Sequence, residues 1–180
     1  MSILNLSKFF FMEEIVNKVS KSGLTQLDLA DFKPNKKIVP FDLKDNLWQG
    51  LALKEKAFRS FAKTHDWTQY EDKVVAIFCS ADAIIPSWAY MLVVSELHKK
   101  GVNGVVGDIP TVEKELIRQK IADFNTKDLE NGKFIIKGCS DVSDPAFVMT
   151  ELTKKLLPIA SSIMYGEPCS TVPVYKKPKT

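Results

Sequence analysis

"KVVAIFCSADAIIPSWAYM", residues 73–91, decides how the rest of the chain is read. Its first seven residues are apolar at nearly every position, the pattern of a strand covered on both faces. Pro86 suits the first turn of a helix, because its ring fixes φ and its missing N–H is one the helix leaves unpaired. That helix covers 86–100, and Gly101 ends it. A buried strand followed by a crossover helix is half of a parallel βαβ unit.

The alternation continues downstream. "GVVGD" (104–108) reads as a second buried strand, and Pro110 opens a helix on which Val112, Leu116, Ile117 and Ile121 share a face. "KFIIKGC" (133–139) is the third strand. Asp144 and Pro145 cap and start a helix over 145–157, Pro158 breaks it, and another helical turn or two runs to Tyr165 and Gly166. The predicted fold is α/β: a three-layer, mainly parallel sheet from β-α-β-α-β-α over residues 73–165. Beyond the alternation no internal repeat is visible.

Upstream, residues 12–70 predict a small strand-rich region. Met12, Ile15, Val16 and Val19 lie at helical spacing over 12–20, and Gly23 stops the run. "LTQLDLADF" alternates as a half-exposed strand, "KKIVPFDL" reads as a strand that Pro40 confines to an edge or bulge, and "GLALK" as a third. Residues 54–64 form a helix with Phe58, Phe61 and Ala62 inward. Residues 166–180 form an extended tail, and the 180 residues make a single domain.

The chain is 45% hydrophobic and 26% charged, which fits a globule with a full core rather than a disordered chain. Lys176, Lys177 and Lys179 account for the net charge of +3, so the body is balanced, and neither nucleic acid nor membrane is expected as a partner. Assembly as a homo-oligomer stays open. The apolar run near the N-terminus is too short for a signal peptide, and Met12 is a candidate start. Three widely spaced cysteines predict a reduced, cytoplasmic setting.

Each cysteine precedes a serine: Cys79–Ser80, Cys139–Ser140 and Cys169–Ser170. Ligands of open α/β sheets bind outside the carboxyl ends of the strands. If the three strands are neighbours, Cys79, Asp108 and Cys139 share that edge, beside helix N-termini that favour thiolate. Asp82 and Asp141 lie in the same loops. Cys169 joins them only if the chain turns back at Pro158. The expected metal ligands are Cys79, Cys139 and Cys169 with Asp82 or Asp141, holding zinc or an iron–sulfur cluster. The plain alternative is cysteine as a small buried hydrophobe.

His65 reads as a helix-end or surface residue and His98 as the end of a helix, both at the amino edge, about 20 Å from the strands' far end at ~3.3 Å per residue. "HDWTQY" and "SWAYM" supply packing aromatics. No phosphate-loop, dinucleotide, zinc-protease or serine-hydrolase motif is present.

"LKEKAFR", "HDW", "CSADAI.P.WAYM", "KGCS" and "SIMYGEPCSTVPVYK" together resemble an uncharacterised bacterial family, a domain of unknown function, over residues 13–176. The resemblance implies no activity. Three readings follow from the residues: a cytosolic metal- or cluster-binding protein, a metal-free protein with a reactive thiol, and a non-catalytic binding or scaffold domain whose tail "STVPVYKK" adds as a strand to a partner. Whether the protein is an enzyme stays open.

Overall fold

The computed structural model describes residues 24–138 and 142–178. The helix expected at 12–20, and Cys139, Ser140 and Asp141, lie outside the described residues.

The strands most densely apolar in sequence are the central ones. β3 (Lys73–Phe78) has four consecutive buried residues, Val74 to Ile77, whose side chains alternate between two faces. It lies between β2 (Lys37–Asp42) and β4 (Asn103–Val106), and both pairings are parallel. β2 is an edge strand, as Pro40 requires. A second sheet has β5 (Gly132–Lys137) at its heart, in the order β1 (Leu24–Asp28), β5, β6 (Ala160–Glu167), β7 (Ser170–Lys176). β1, β5 and β6 are parallel, and β7 returns antiparallel along β6.

The mixed α/β class with mostly parallel pairing is therefore as expected, and the strands fall in two sheets instead of one. A buried strand's apolar pattern specifies covered faces but not which strand lies beside it.

Among the described residues, four helices fill the layers. α1 (Glu55–Thr64) and α2 (Ser87–His98) pack on one face of the small sheet, where Phe58, Ala89, Val93 and Leu97 meet Val75 and Ile77. α3 (Ile109–Asp123) covers the other face, setting Val112 and Leu116 against Val74 and Ala76. Its Ile117 and Ile121 turn instead to the large sheet, in a core with Phe134, Ile136 and Ile163 and with Val148 and Leu152 of α4 (Pro145–Leu156). The four apolar positions expected on one face of α3 thus serve two sheets. A helix–sheet–helix sandwich surrounds the small sheet, and the large sheet adds a further layer.

Two segments differ from the expected elements. "GLALK" makes only isolated bridges, Trp48 to Ala52 and Ala52 to Ile84. Residues 160–167 are strand rather than helix. Serine, isoleucine and tyrosine are middling helix formers, and pairing with β5 buries Ile163 completely. Gly166 then permits the hairpin: its φ is +113°, and a Cβ there would lie 2.5 Å from the Ser170 carbonyl oxygen. The tail is β7, a strand of the protein's own sheet.

One plan is repeated in the two sheets, and its one trace in the sequence is a short doubled motif. In each, an edge strand ends in Asp-Leu-x-Asp: Asp28–Asp31 after β1, Asp42–Asp45 after β2. The leading Asp accepts a backbone N–H two residues on at 3.0 Å (Ala30, Lys44), closing a 3-10 turn whose leucine, Leu29 or Leu43, is fully buried. A helix leads to the central strand, a crossover helix follows, and a third parallel strand completes the unit. β2–α1–β3–α2–β4 lies in the chain between β1 and α3–β5–α4–β6.

Candidate functional site

The carboxyl ends of both sheets open on the same side of the molecule. α3 starts beyond β4 and α4 beyond β5, and their first turns are tied together. Lys114 Nζ lies 2.7 Å from Asp144 Oδ2, and the Ser143 N–H donates to Glu113 Oε2 at 2.9 Å. Asp108 and Asp144 cap the two helices through the backbone N–H groups of Thr111 and Phe147, each at 3.0 Å. The Thr111 side chain and N–H hold the Asp108 carboxyl below the usual range, and the Lys114 ammonium and the Phe147 N–H do the same for Asp144.

At the small sheet, Cys79 follows β3 as expected. It is half-buried against the α1–α2 core, and its Sγ–H donates to the Ala81 carbonyl at 3.6 Å. The next residue is held by a carboxylate that the sequence reading missed. Asp42 accepts from the Ser80 N–H at 3.0 Å and from Ser80 Oγ at 2.5 Å, with Lys44 Nζ 3.5 Å away. Burial works against ionisation of Asp42, but the bonds from Ser80 and Lys44 prevail and hold its carboxyl below the usual value. Burial pushes up the hydroxyl of Tyr90, one turn into α2, and Cys79 adds in the same direction. Asp82 is exposed in the same loop.

At the large sheet, Asp28 takes the place of Asp42. It pairs in register with Lys137, the last residue of β5. Gly138 has φ +105°, and a Cβ on it would lie 2.7 Å from Asp28 Oδ1. The carboxylate therefore lies against the backbone immediately before Cys139, and only glycine leaves it that room. Cys169 sits exposed in the turn joining β6 and β7, between the two residues of the Glu167–Ser170 end pair. Because β6 runs parallel to β5, this turn lies at the carboxyl edge. The chain returns there as a strand, where a broken helix was expected. Two residues on from the Ile136–Tyr165 pair, Gly138 is level with Glu167.

The strand ends carrying Cys79 and Cys139 are not neighbours, because β3 and β5 belong to different sheets with α3 between them. A helix is ~10 Å across, several times a metal–sulfur bond. Among the described residues, no three His, Cys, Asp or Glu side chains are grouped to hold a metal. The clue to Asp28 and Asp42 was the doubled Asp-Leu-x-Asp, in "LDLADF" and "FDLKDN".

His65 is the helix-end residue expected, at the C-cap of α1, but it is not remote from the carboxyl side. The turn Trp67–Tyr70 folds back over the sheet, so the imidazole lies 4.5 Å from the Trp67 ring and 5.8 Å from that of Phe41, near the end of β2. Burial, partly offset by Asp66, pushes it below 6.5. Trp67 is buried, its indole N–H donating to the Ala62 carbonyl at 2.8 Å, a packing role as expected. His98 is exposed at the end of α2. No described helix is long and apolar enough to cross a membrane.

No curated protein and no solved structure matches the chain. Residues 13–177 match one family throughout, and on that ground the chain belongs to the family described as "protein of unknown function (DUF2480)".

Proposed function

We propose that the protein holds a soft metal, zinc or an iron–sulfur cluster, at the carboxyl edge of the large sheet through Cys139 and Cys169. A carboxylate, Asp141 or Asp28, completes the donor set. The supporting observation is the parallel pairing of β6 with β5, which brings the Cys169 turn beside the strand that leads into Cys139. Gly138, the residue before Cys139 in the chain, is level with Glu167, which lies two residues before Cys169, and neighbouring strands are ~4.8 Å apart. Thiolates with one or two carboxylates suit zinc, and an open iron of a cluster takes the same donors.

Cys79 and Asp82 stand outside this set, since reaching it would mean passing the α3 layer. Cys79, with Tyr90 beside it, is the place for the metal-free thiol reading. The setting is a reducing cytoplasm, without nucleic acid or membrane as partner. Elemental analysis and a visible spectrum of anaerobically purified protein test the proposal. Zinc near one per chain, or iron with sulfur charge-transfer bands, is the expected result. Metal-free protein would remove the reading and leave the thiol one, which an alkylation-rate profile of Cys79 against pH then tests.

A further inference from the structure

β5 carries three consecutive buried residues, Phe134, Ile135 and Ile136, as β3 carries four. Helices cover β3 on both faces. On β5 they reach only one. Phe134 and Ile136 face inward, to α3 and α4, and by alternation Ile135 faces outward. Ile135 is 1% exposed, yet no apolar cluster of the described residues contains it. The apolar sides of the four described helices are all turned to other surfaces. Register makes the outward face continuous. Gln26, Ile135, Met164 and Pro173 stand side by side on β1, β5, β6 and β7, with Leu24 at one corner. Parallel strands with an apolar centre are found with both faces covered.

The chain that leads into β1 supplies an occupant. Met12, Ile15, Val16 and Val19 share one side of a helix over 12–20, and Glu13, Glu14 and Lys18 fall outside it. At 1.5 Å per residue that helix is ~14 Å long, and the five-residue β1 is ~16 Å. Residues 21–23 give the short link usual between a helix and the strand it packs on. The inner face has no room, since Phe134 and Ile163 are completely buried there under α3 and α4. Residues 13–23 also lie within the stretch that matches the family. A second copy is the rival occupant. The outward face carries Lys133, Lys137 and Lys176 against Asp28 alone, so two copies set face to face would oppose like charges.

We infer that residues 12–20 dock on the outward face of the large sheet, with Ile15, Val16 and Val19 over Ile135 and Met164. The strand that leads into Cys139 is thereby enclosed on both sides. The inference does not depend on a metal at that edge.

The test uses the full chain. Trypsin cleavage after Lys18 is timed by mass spectrometry, because its rate follows how often the segment leaves the sheet. Cleavage is expected to quicken about tenfold or more in Ile15→Ser and in Met164→Lys. Val172→Ser, at an exposed position on the opposite face of the same sheet, should leave the rate unchanged. In the wild-type protein, nuclear Overhauser contacts are expected between the methyl groups of Ile15 or Val16 and those of Ile135. Equal cleavage of the wild type and both docking variants, or Ile135 methyl groups in contact with neither residue, would overturn the inference. So would a wild-type dimer in sedimentation that Met164→Lys dissolves, because a second copy would then occupy the face.

Discussion

In the small sheet the first strand ends at Asp42, whose carboxylate holds Ser80 of the loop that begins with Cys79. In the large sheet the first strand ends at Asp28, and its carboxylate meets one additional residue, Gly138, before the cysteine. The small unit stops at its third strand and leaves apolar side chains around its loops. The large unit adds β7, and with it a turn that brings a second cysteine to the edge. The same scaffold is thus finished once in loops that carry exposed apolar side chains and the half-buried Cys79, and once in a hairpin whose turn carries the exposed Cys169. The chemistry proposed here lies in what was added to the shared plan rather than in the plan itself.

The comparison is broken most severely at its shared leucines. Leu29 and Leu43 occupy equivalent turns and are both fully buried. Leu29→Ala and Leu43→Ala should each cost about 2–5 kcal/mol in chemical denaturation. A near-neutral result at one with a large loss at the other would mean that the two turns are not equivalent.

A smaller effect separates the units at the inserted glycine. Gly138→Ala forces a side chain into the left-handed region and against Asp28 Oδ1, at a cost of about 1–3 kcal/mol. Adding Asp28→Ala should recover part of that loss. An unchanged cost in the double variant would show that the carboxylate does not crowd this position.

The smallest effect belongs to the small unit alone. The His65 pKa lies below 6.5 in the folded protein, because burial disfavours the charged ring. As pH falls, the unfolded chain therefore takes up the proton first. The stability contributed by neutral His65 is complete above about pH 6.5 and is lost as pH falls through the folded value. Denaturation curves between about pH 7 and 5 should flatten in His65→Gln, and a slope identical to wild type would exclude His65 as its source.

The fold was legible where one residue pattern meets one environment. β3 is read from its unbroken apolar run, the edge position of β2 from Pro40, and the start of α4 from Asp144 and Pro145. It was not legible where one pattern serves two environments. Val112, Leu116, Ile117 and Ile121 keep a single helical spacing while facing two sheets. "ASSIMYGE" becomes a strand only because β5 offers a partner and Gly166 a turn. At the site, Cys79 is read from the apolar run of β3 that it follows. Asp28 and Asp42 were not legible, because Asp-Leu-x-Asp reads as an ordinary turn until the sheet lays it beside the next loop.

The most direct measurement is the metal content of three anaerobically purified variants, Cys79→Ser, Cys139→Ser and Cys169→Ser, beside the wild type. The account predicts that metal is lost from the Cys139 and Cys169 variants and retained by the Cys79 variant. Equal loss in all three, or retention when Cys169 is replaced, would contradict it.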